Sequence, residues 1–358
     1  MAGIADVARA AGVSKSTASR ALTGAGYVSE ATRARVKDAA AALGYVPTTS
    51  AVSLVTGRTQ TIGVVMPSLD RWFFAQVLEG VQDALLEHRY DLVLYGAPPE
   101  SAARREMFEH FLARKRFDGL IAVGIEPSAR ELERLIAFGK PVVSVGGYDA
   151  GTDAVSIDDE AAARIATEHL VGLGHRDIVF LGGDPDGRRT SFGDGRRLEG
   201  YRAAMRDAGL DASARHVQSE VTMPGGYGAA AELLGDRRTR PTGIVGVCDE
   251  VAVGAIIAAR RLGIRVPERL SVIGIDDHAY AEMFSLTTLQ QRPHQQGRAA
   301  VRLLMWQLRD PEATTHRIYE SSPLVVRSST AAVDDDASAI VRTANKTKAP
   351  DAQHPGPS

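Results

Sequence analysis

A single cysteine, Cys248, in 358 residues cannot close an intramolecular disulfide, so the fold must rest on its own apolar core. The nine histidines show no H-x-x-x-H spacing and there is no C-x-x-C pair; the common zinc modules drop out and no metal site is expected. No stretch reaches the ~18 consecutive apolar residues of a membrane helix, and the N-terminus carries no apolar h-region, which points to a cytoplasmic protein with no membrane partner. Signatures of catalysis are missing as well. There is no G-x-S-x-G elbow and no Ser, His and Asp set marked by spacing. The glycine-rich GGDPDGRRTSFGDG, Gly182 to Gly195, lacks the G-x-x-x-x-G-K-[ST] order of a phosphate loop and reads as a mobile loop. No catalytic residue, no enzyme activity and no cofactor is expected.

Net charge is also nearly absent, at -2, so the molecule as a whole is no polycation. Its distribution is uneven. Up to Arg58 there are seven basic residues (Arg9, Lys15, Arg20, Arg33, Arg35, Lys37, Arg58) against Asp6, Glu30 and Asp38, a balance of +4 that leaves -6 for the rest. A basic head on an acidic body fits nucleic-acid binding by the head alone.

Within that head, Ile4, Val7, Ala8 and Ala11 fall on one face of a short helix, and a second helix opens at Ser14 after Gly12-Val13. Ser14 can accept from the free amides of the new helix, and Gly12 eases the backbone where the first one stops, which is helix-turn-helix punctuation. The second helix exposes Lys15, Ser16, Thr17, Ser19 and Arg20 and keeps Ala18, Ala21 and Leu22 for the core. Short hydroxyl side chains with Lys and Arg near a helix N-terminus suit a tip that enters the DNA major groove. A surface helical pair with a polar outer face would look the same, and the residues that follow decide between them. Tyr27-Val28-Ser29-Glu30 caps a third helix with Val36, Ala40 and Leu43 on its inner face, ended by Leu43-Gly44-Tyr45-Val46-Pro47.

In order and spacing, DVARAAGVSKSTASRAL, YVSEATRARV and LGYVP resemble the lactose repressor (LacI/GalR) family of bacterial transcription regulators. The resemblance implies a helix-turn-helix DNA-binding domain over 1-47, in which Lys15, Ser16 and Arg20 choose bases while Thr17 and Ser19 serve the backbone, with Tyr27 a further DNA contact. It implies a hinge over 48-58 that becomes helical on operator DNA, with Leu54 as the apolar wedge pushed into the minor groove. An ordinary linker with Leu54 packed on the next domain remains open. The family's usual Asn cap is Thr48 here, and a commonly basic hinge position is Val52, which loses a phosphate contact.

From Thr61 onward, apolar runs at Ile62–Met66, Asp91–Tyr95, Leu120–Val123, Val142–Val145, Ile178–Leu181, Ile244–Val247 and Val272–Ile275 alternate with helical stretches such as Phe73–His88. Continuous apolar strands between amphipathic helices mean parallel sheets covered on both faces, and there are too many for one small sheet. Two doubly wound α/β subdomains are therefore expected. The resemblance makes them a two-lobed periplasmic-binding-protein-like core over 59-330, with an N-lobe of 59-160 and 290-320 and a C-lobe of 161-289 and 321-330. TIGVVMP, FDGLI, HLVGLGHRDIVFLGG, RRLEGYRAAM, DEVAVGA, VPERLSVIGIDD and LVVRSST carry it. The tail, 331-358, is poor in apolar residues and is expected to be disordered. It holds no leucine heptad, so a homodimer is expected rather than a tetramer built through that end.

Effector residues should lie where strands end at a cleft. Ser68, Asp70, Phe73 and Phe74, in SLDRWFFAQ, offer the aromatic platform and polar rim that a sugar requires, although Phe73 and Phe74 equally suit a helix packing on its sheet. Arg197 in RRLEGY and Asp276 in IGIDD match family positions that grip effector hydroxyls; a solvated helix residue and a cap are the plain alternatives. Asp249 is expected to cap its helix. Cys248 stands where many relatives use a polar residue, and a thiol is a poor hydrogen bonder, which argues for an altered effector. The reading is a repressor of a carbohydrate-utilisation operon, bound to near-palindromic operator DNA and released by a small-molecule effector. Alternatives are a co-repressor mechanism with a nucleobase or other metabolite, or a solute-binding protein.

Overall fold

The computed structural model describes residues 2–24, 26–46, 57–112, 116–147, 151–183, 192–310 and 314–333. The expected hinge residues Thr48, Val52 and Leu54, most of the glycine-rich loop and the tail beyond 333 lie outside them. At the N-terminus, α1 (Ile4–Ala10), α2 (Lys15–Thr23) and α3 (Glu30–Ala42) each follow a capping position. Gly3 donates its N–H to Asp6, Ser14 accepts from the N–H of Thr17 at 3.1 Å, and Ser29 accepts from Thr32 at 3.4 Å. The turn between α1 and α2 runs through Gly12 at φ 65, the left-handed region that glycine enters without penalty. The three helices close on Val7, Ala8, Ala11, Ala18, Ala21, Val36 and Ala40, with Leu22, Val28 and Tyr45 packed half-buried around them. Small side chains let the helices approach closely. Leu43, expected on that inner face, is 39% exposed because the chain has already turned at Gly44.

The chain divides into two compact units. Met1–Asp70, Phe74–Val155 and Pro293–Arg317 make the first; Arg71–Phe73, Ser156–Arg292 and Ile318–Ser358 make the second. The first holds β1 (Thr61–Met66), α4 (Trp72–Glu87, from Phe74 onward), β2 (Asp91–Gly96), α5 (Ala102–Glu106), β3 (Gly119–Val123), α6 (Ala129–Phe138), β4 (Val142–Val145) and the start of β5 (Asp153–Ile157). The second holds α7 (Asp159–Gly172), β6 (Ile178–Leu181), α8 (Phe192–Asp207), β7 (Arg215–Val217), α9 (Met223–Gly235), β8 (Gly243–Gly246), α10 (Asp249–Arg261), β9 (Ser271–Asp276) and β10 (Thr287–Gln290). Then α11 (Pro293–Arg309) belongs to the first unit, β11 (Arg317–Glu320) begins there, and β12 (Leu324–Val325) returns to the second.

Each unit carries a six-stranded sheet, ordered β11-β5-β4-β3-β1-β2 in one and β12-β10-β9-β8-β6-β7 in the other. Strands β1 to β5 pair in parallel, as do β6 to β10, and β12 is antiparallel to β10. Parallel strands lie under helices on both faces and so can be apolar throughout: β3, β4, β6 and β8 are buried at every residue. Edge strand β2 is only half-buried. These are two doubly wound α/β layers, as expected from the strand-helix alternation. In both sheets the order reverses once, between β1 and β3 and between β6 and β8, and such a reversal opens a crevice at the carboxyl ends of the strands. Among the described residues no helix is long and apolar enough to cross a membrane, and no cluster of three or more His, Cys, Asp or Glu is arranged to hold a metal ion.

Candidate nucleic-acid interface and effector centre

The outer face of α2 is assembled by its cap. Ser14 Oγ lies 2.9 Å from Ser16 Oγ and 2.8 Å from Thr17 Oγ1, so three hydroxyls share hydrogen bonds at the tip of the helix. Lys15, Ser16 and Arg20 are exposed, whereas Thr17 and Ser19 are half-buried. Ser19 sits where the Thr23 hydroxyl donates to its carbonyl at 2.8 Å. At the other end, Gly24 closes the helix in the left-handed region and donates to Arg20 O. Tyr27 stands 92% exposed just before α3. Lys15, Ser16 and Arg20 are thus exposed together on α2, with no acidic residue in its first turn to oppose a phosphate.

In the second unit the chemistry gathers at the carboxyl ends of β6, β8 and β9. Arg197, on α8, is buried at 8% exposure. Its Nε donates to Asp159 Oδ1 at 2.8 Å, its Nη1 donates to the carbonyl of Val247 at 2.7 Å, and Nη2 lies 3.9 Å from Asp276 Oδ1. Burial works against the charged guanidinium, but Asp159, Asp276 and Asp194 outweigh it and hold the arginine above its usual range. Arg71 is bound nearby in the same unit: Nε donates to Glu250 at 3.1 Å and Nη2 approaches Cys248 Sγ at 3.6 Å. The Cys248 thiol is pushed up to about 12, mainly by burial, and stays protonated.

Asp276 ends β9 with φ 140, and Asp277 follows at φ 55, two successive non-glycine residues in a region that favours glycine. The surroundings enforce this backbone. Gln291 donates its N–H to the Asp276 carbonyl and its Nε2 to Asp276 Oδ1 at 2.8 Å, while Arg327 and Gln290 hold the Asp277 carboxylate at 2.7 and 2.8 Å. Strain retained under such constraint marks functional positions more often than structural ones. Burial raises the Asp276 carboxyl to about 6 against the pull of Arg197 and Arg71.

Asp249 is not the helix cap expected of it. Cys248 occupies that position without a side-chain cap bond, and Asp249, first residue of α10, reaches across the sheet instead. Its Oδ1 accepts from Thr288 Oγ1 at 2.6 Å and its Oδ2 from the N–H of His278 at 2.8 Å. A Cβ on Gly274 would come within 2.1 Å of Asp249 Oδ1, so glycine there is what admits the carboxylate. Burial first and the Asp276 charge second push Asp249 up to about 8. Beside it, His278 lies between Trp72 and Tyr280, with ring centroids 4.9 and 4.8 Å away.

Of the sequence candidates, Arg197, Cys248 and Asp276 come together in the second unit. Ser68 and Asp70 hydrogen-bond each other in the first unit, where Asp70 is exposed and Ser68 half-buried. Phe73 is half-buried, and Phe74, 4% exposed, packs over Gly124, the sheet-packing alternative weighed for it. Sequence reasoning passed over Arg71, Asp159, Glu250 and Asp194. Arg71 sits inside SLDRWFFAQ and Glu250 inside DEVAVGA, so the stretches were visible but the partners were not. Asp159 follows the N-cap Asp158 and looked like one more acid in a first turn.

Residues 3–48 match the family of bacterial regulatory proteins of the lacI type, and residues 167–330 match a periplasmic binding protein-like domain. The HTH-type transcriptional repressor PurR of Vibrio vulnificus is 31% identical over 338 residues, covering 91% of this chain and 98% of the relative. The ribose operon repressor of Escherichia coli K12 is 31% identical over 335 residues, covering 92% of this chain and 100% of the relative. A solved structure of the lac repressor dimer bound to operator and the anti-inducer ONPF superposes with a TM-score of 0.80 at 26% identity, covering 92% of this chain and 99% of that one. These relatives are regulators of transcription and not enzymes. Head and two-sheet body are thus shared with them along nearly the whole length, and the chain belongs to the LacI family of bacterial regulatory proteins.

Proposed function

We propose that this protein represses transcription by binding a near-palindromic operator as a homodimer, and that a sugar bound in the second unit releases it. The observation that carries the reading is the α2 tip, where Lys15, Ser16 and Arg20 project from a capped helix in a stretch whose charge up to Arg58 is +4. One bidentate base contact discriminates by about 1 to 3 kcal/mol, so a single head reads too little and a two-fold pair is the geometric remedy. The operator-bound lac repressor dimer supports that arrangement by likeness. For the effector, Arg197 and Asp276 offer a donor fork and an acceptor of the kind that orients hydroxyls, and the ribose operon repressor supports a sugar. Leu54 at the hinge is proposed as a further DNA contact and Phe73, in the second unit, as a further effector contact, on family resemblance. Effector and operator bias one equilibrium, so each weakens the other by the same factor, about 5 to 150-fold for 1 to 3 kcal/mol of coupling. The equal likeness to PurR keeps a nucleobase co-repressor as the second reading, with the sign of coupling reversed.

Selection of duplexes from a random pool tests the operator half. Enrichment of a two-fold sequence is expected; the same weak, salt-sensitive retention of every duplex would refute it. Thermal-shift screening with ribose, cellobiose and nucleobases tests the other half, since ligand at ~100 times its Kd adds about 2.7 kcal/mol of stability.

A further inference from the structure

The last described residues before β1 are tied to the first unit by one buried carboxylate. Asp118, 3% exposed and placed just ahead of β3, uses both its oxygens on them. Oδ1 accepts from the N–H of Thr59 at 2.8 Å and from its hydroxyl at 3.1 Å, and Oδ2 accepts from the N–H of Gln60 at 2.9 Å. The backbone N–H of Asp118 in turn donates to Thr61 O at 2.8 Å, and that of Asp91 to Gln60 O at 2.8 Å. Gln60 is exposed, yet it is held at φ 51, a conformation a glutamine does not choose unaided. Two residues earlier, Arg58 Nη2 donates to the carbonyl of Leu308 at 2.9 Å, in the last turn of α11.

Strand pairing uses the two backbone bonds, to Thr61 O and Gln60 O, but needs none of the carboxylate bonds. A parallel ladder begins at Thr61 with backbone bonds alone, and no residue of β1 receives the Asp118 carboxylate. The bonds go to Thr59 and Gln60, the point where the chain arriving from the DNA-binding head meets the body. Charge-assisted bonds to two consecutive backbone N–H groups fix direction as well as position. We propose that Asp118 is a positioning residue for operator binding: it clamps the root of the linker, so that the path of the chain toward the head is set by the first unit. The proposal rests on the operator reading given above.

The test uses the full chain and the duplex it enriches from a random pool, together with versions whose half-site separation is lengthened or shortened by one or two base pairs. In Asp118→Asn the remaining oxygen keeps the two bonds to Thr59 and the one to Gln60 is lost, together with the negative charge that Lys140 Nζ faces 3.7 Å from Oδ1. The enriched duplex should then be bound about tenfold more weakly, as expected for loss of one bond to a charged group, while the preference for its spacing shrinks toward none. Thr59→Val removes only the hydroxyl bond and should move both quantities the same way by a few-fold; it decides the matter if the first variant does not fold. A merely structural role would weaken binding equally at every spacing. An unchanged spacing preference, with or without such a uniform loss, overturns the proposal. If the unaltered chain enriches no duplex at all, the operator reading falls and the clamp with it, whereas enrichment followed by unaltered spacing behaviour removes the clamp alone.

Discussion

Replacing Asp249 by Asn should turn a pH-sensitive protein into one that is stable at alkaline pH. Asp249 is fully buried, its carboxyl accepts from two neutral donors, Thr288 Oγ1 and the His278 N–H, and the like charge of Asp276 adds to the effect of burial. Its folded pKa, about 8, is thus raised far above the ~3.9 of an unfolded aspartate. A group raised on folding contributes stability that is complete below the unfolded value and is lost as pH climbs through the folded one. Between these limits the folded state holds about one proton more than the unfolded, a slope of about 1.4 kcal/mol per pH unit, or roughly 2 kcal/mol between pH 6 and 7.5. Asn keeps the shape: its oxygen can accept from His278 N–H and its amide can donate to Thr288 Oγ1. Urea denaturation followed from pH 5 to 9 should show the parent losing stability up to about pH 8 and then levelling, and the Asn variant nearly level above pH 6, where Asp276 has already ionised. A parent whose stability rises or stays level over that range, or a variant weaker by the same amount at every pH, would falsify the account of Asp249 as an uncompensated buried carboxyl.

Arg20→Ala should abolish selective retention of the enriched duplex while leaving the thermal shift given by an effector sugar intact, since Arg20 is exposed on the head. Asp276→Ala should do the reverse, keeping duplex binding and losing the sugar-induced shift; a normal shift would remove Asp276 from the effector centre. Ser14→Ala deletes the N-cap of α2 and the hydroxyl trio at its tip, and should cost the head about 1 kcal/mol, seen as a lower denaturation midpoint of the N-terminal transition.

The strands legible in the sequence were those whose residues are apolar end to end. Ile178–Leu181 was placed to the residue, because a strand covered on both faces advertises itself as an unbroken run. β10 gave no such signal. Its Thr287 and Thr288 are both fully buried, but their hydroxyls bond to Arg327 O and Asp249, partners 40 and 39 residues away that no local pattern reveals. The short strands β7, β11 and β12 are half-buried edge elements with mixed composition, and hydropathy cannot tell them from loops. The centre in the second unit divides in the same way. Arg197 and Asp276 stood out through the motifs around them, whereas Asp159 and Glu250 matter only because each meets a guanidinium far along the chain. Asp249 shows the opposite failure: a helix-initial acid usually caps, and only the absence of a Cβ at residue 274 let it reach elsewhere.

The buried interior of the three-helix head is five alanines with Val7 and Val36, ringed by half-buried Ile4, Val13, Leu22, Val28 and Tyr45. A folding unit of some forty residues with so few methylenes inside, and no cysteine to brace it, has little margin of its own. For such a unit the duplex is part of the scaffold, because anything that binds only the folded form raises the folded fraction by mass action. Limited proteolysis within the head should accordingly slow when an operator duplex is present, because the form that binds is the folded one.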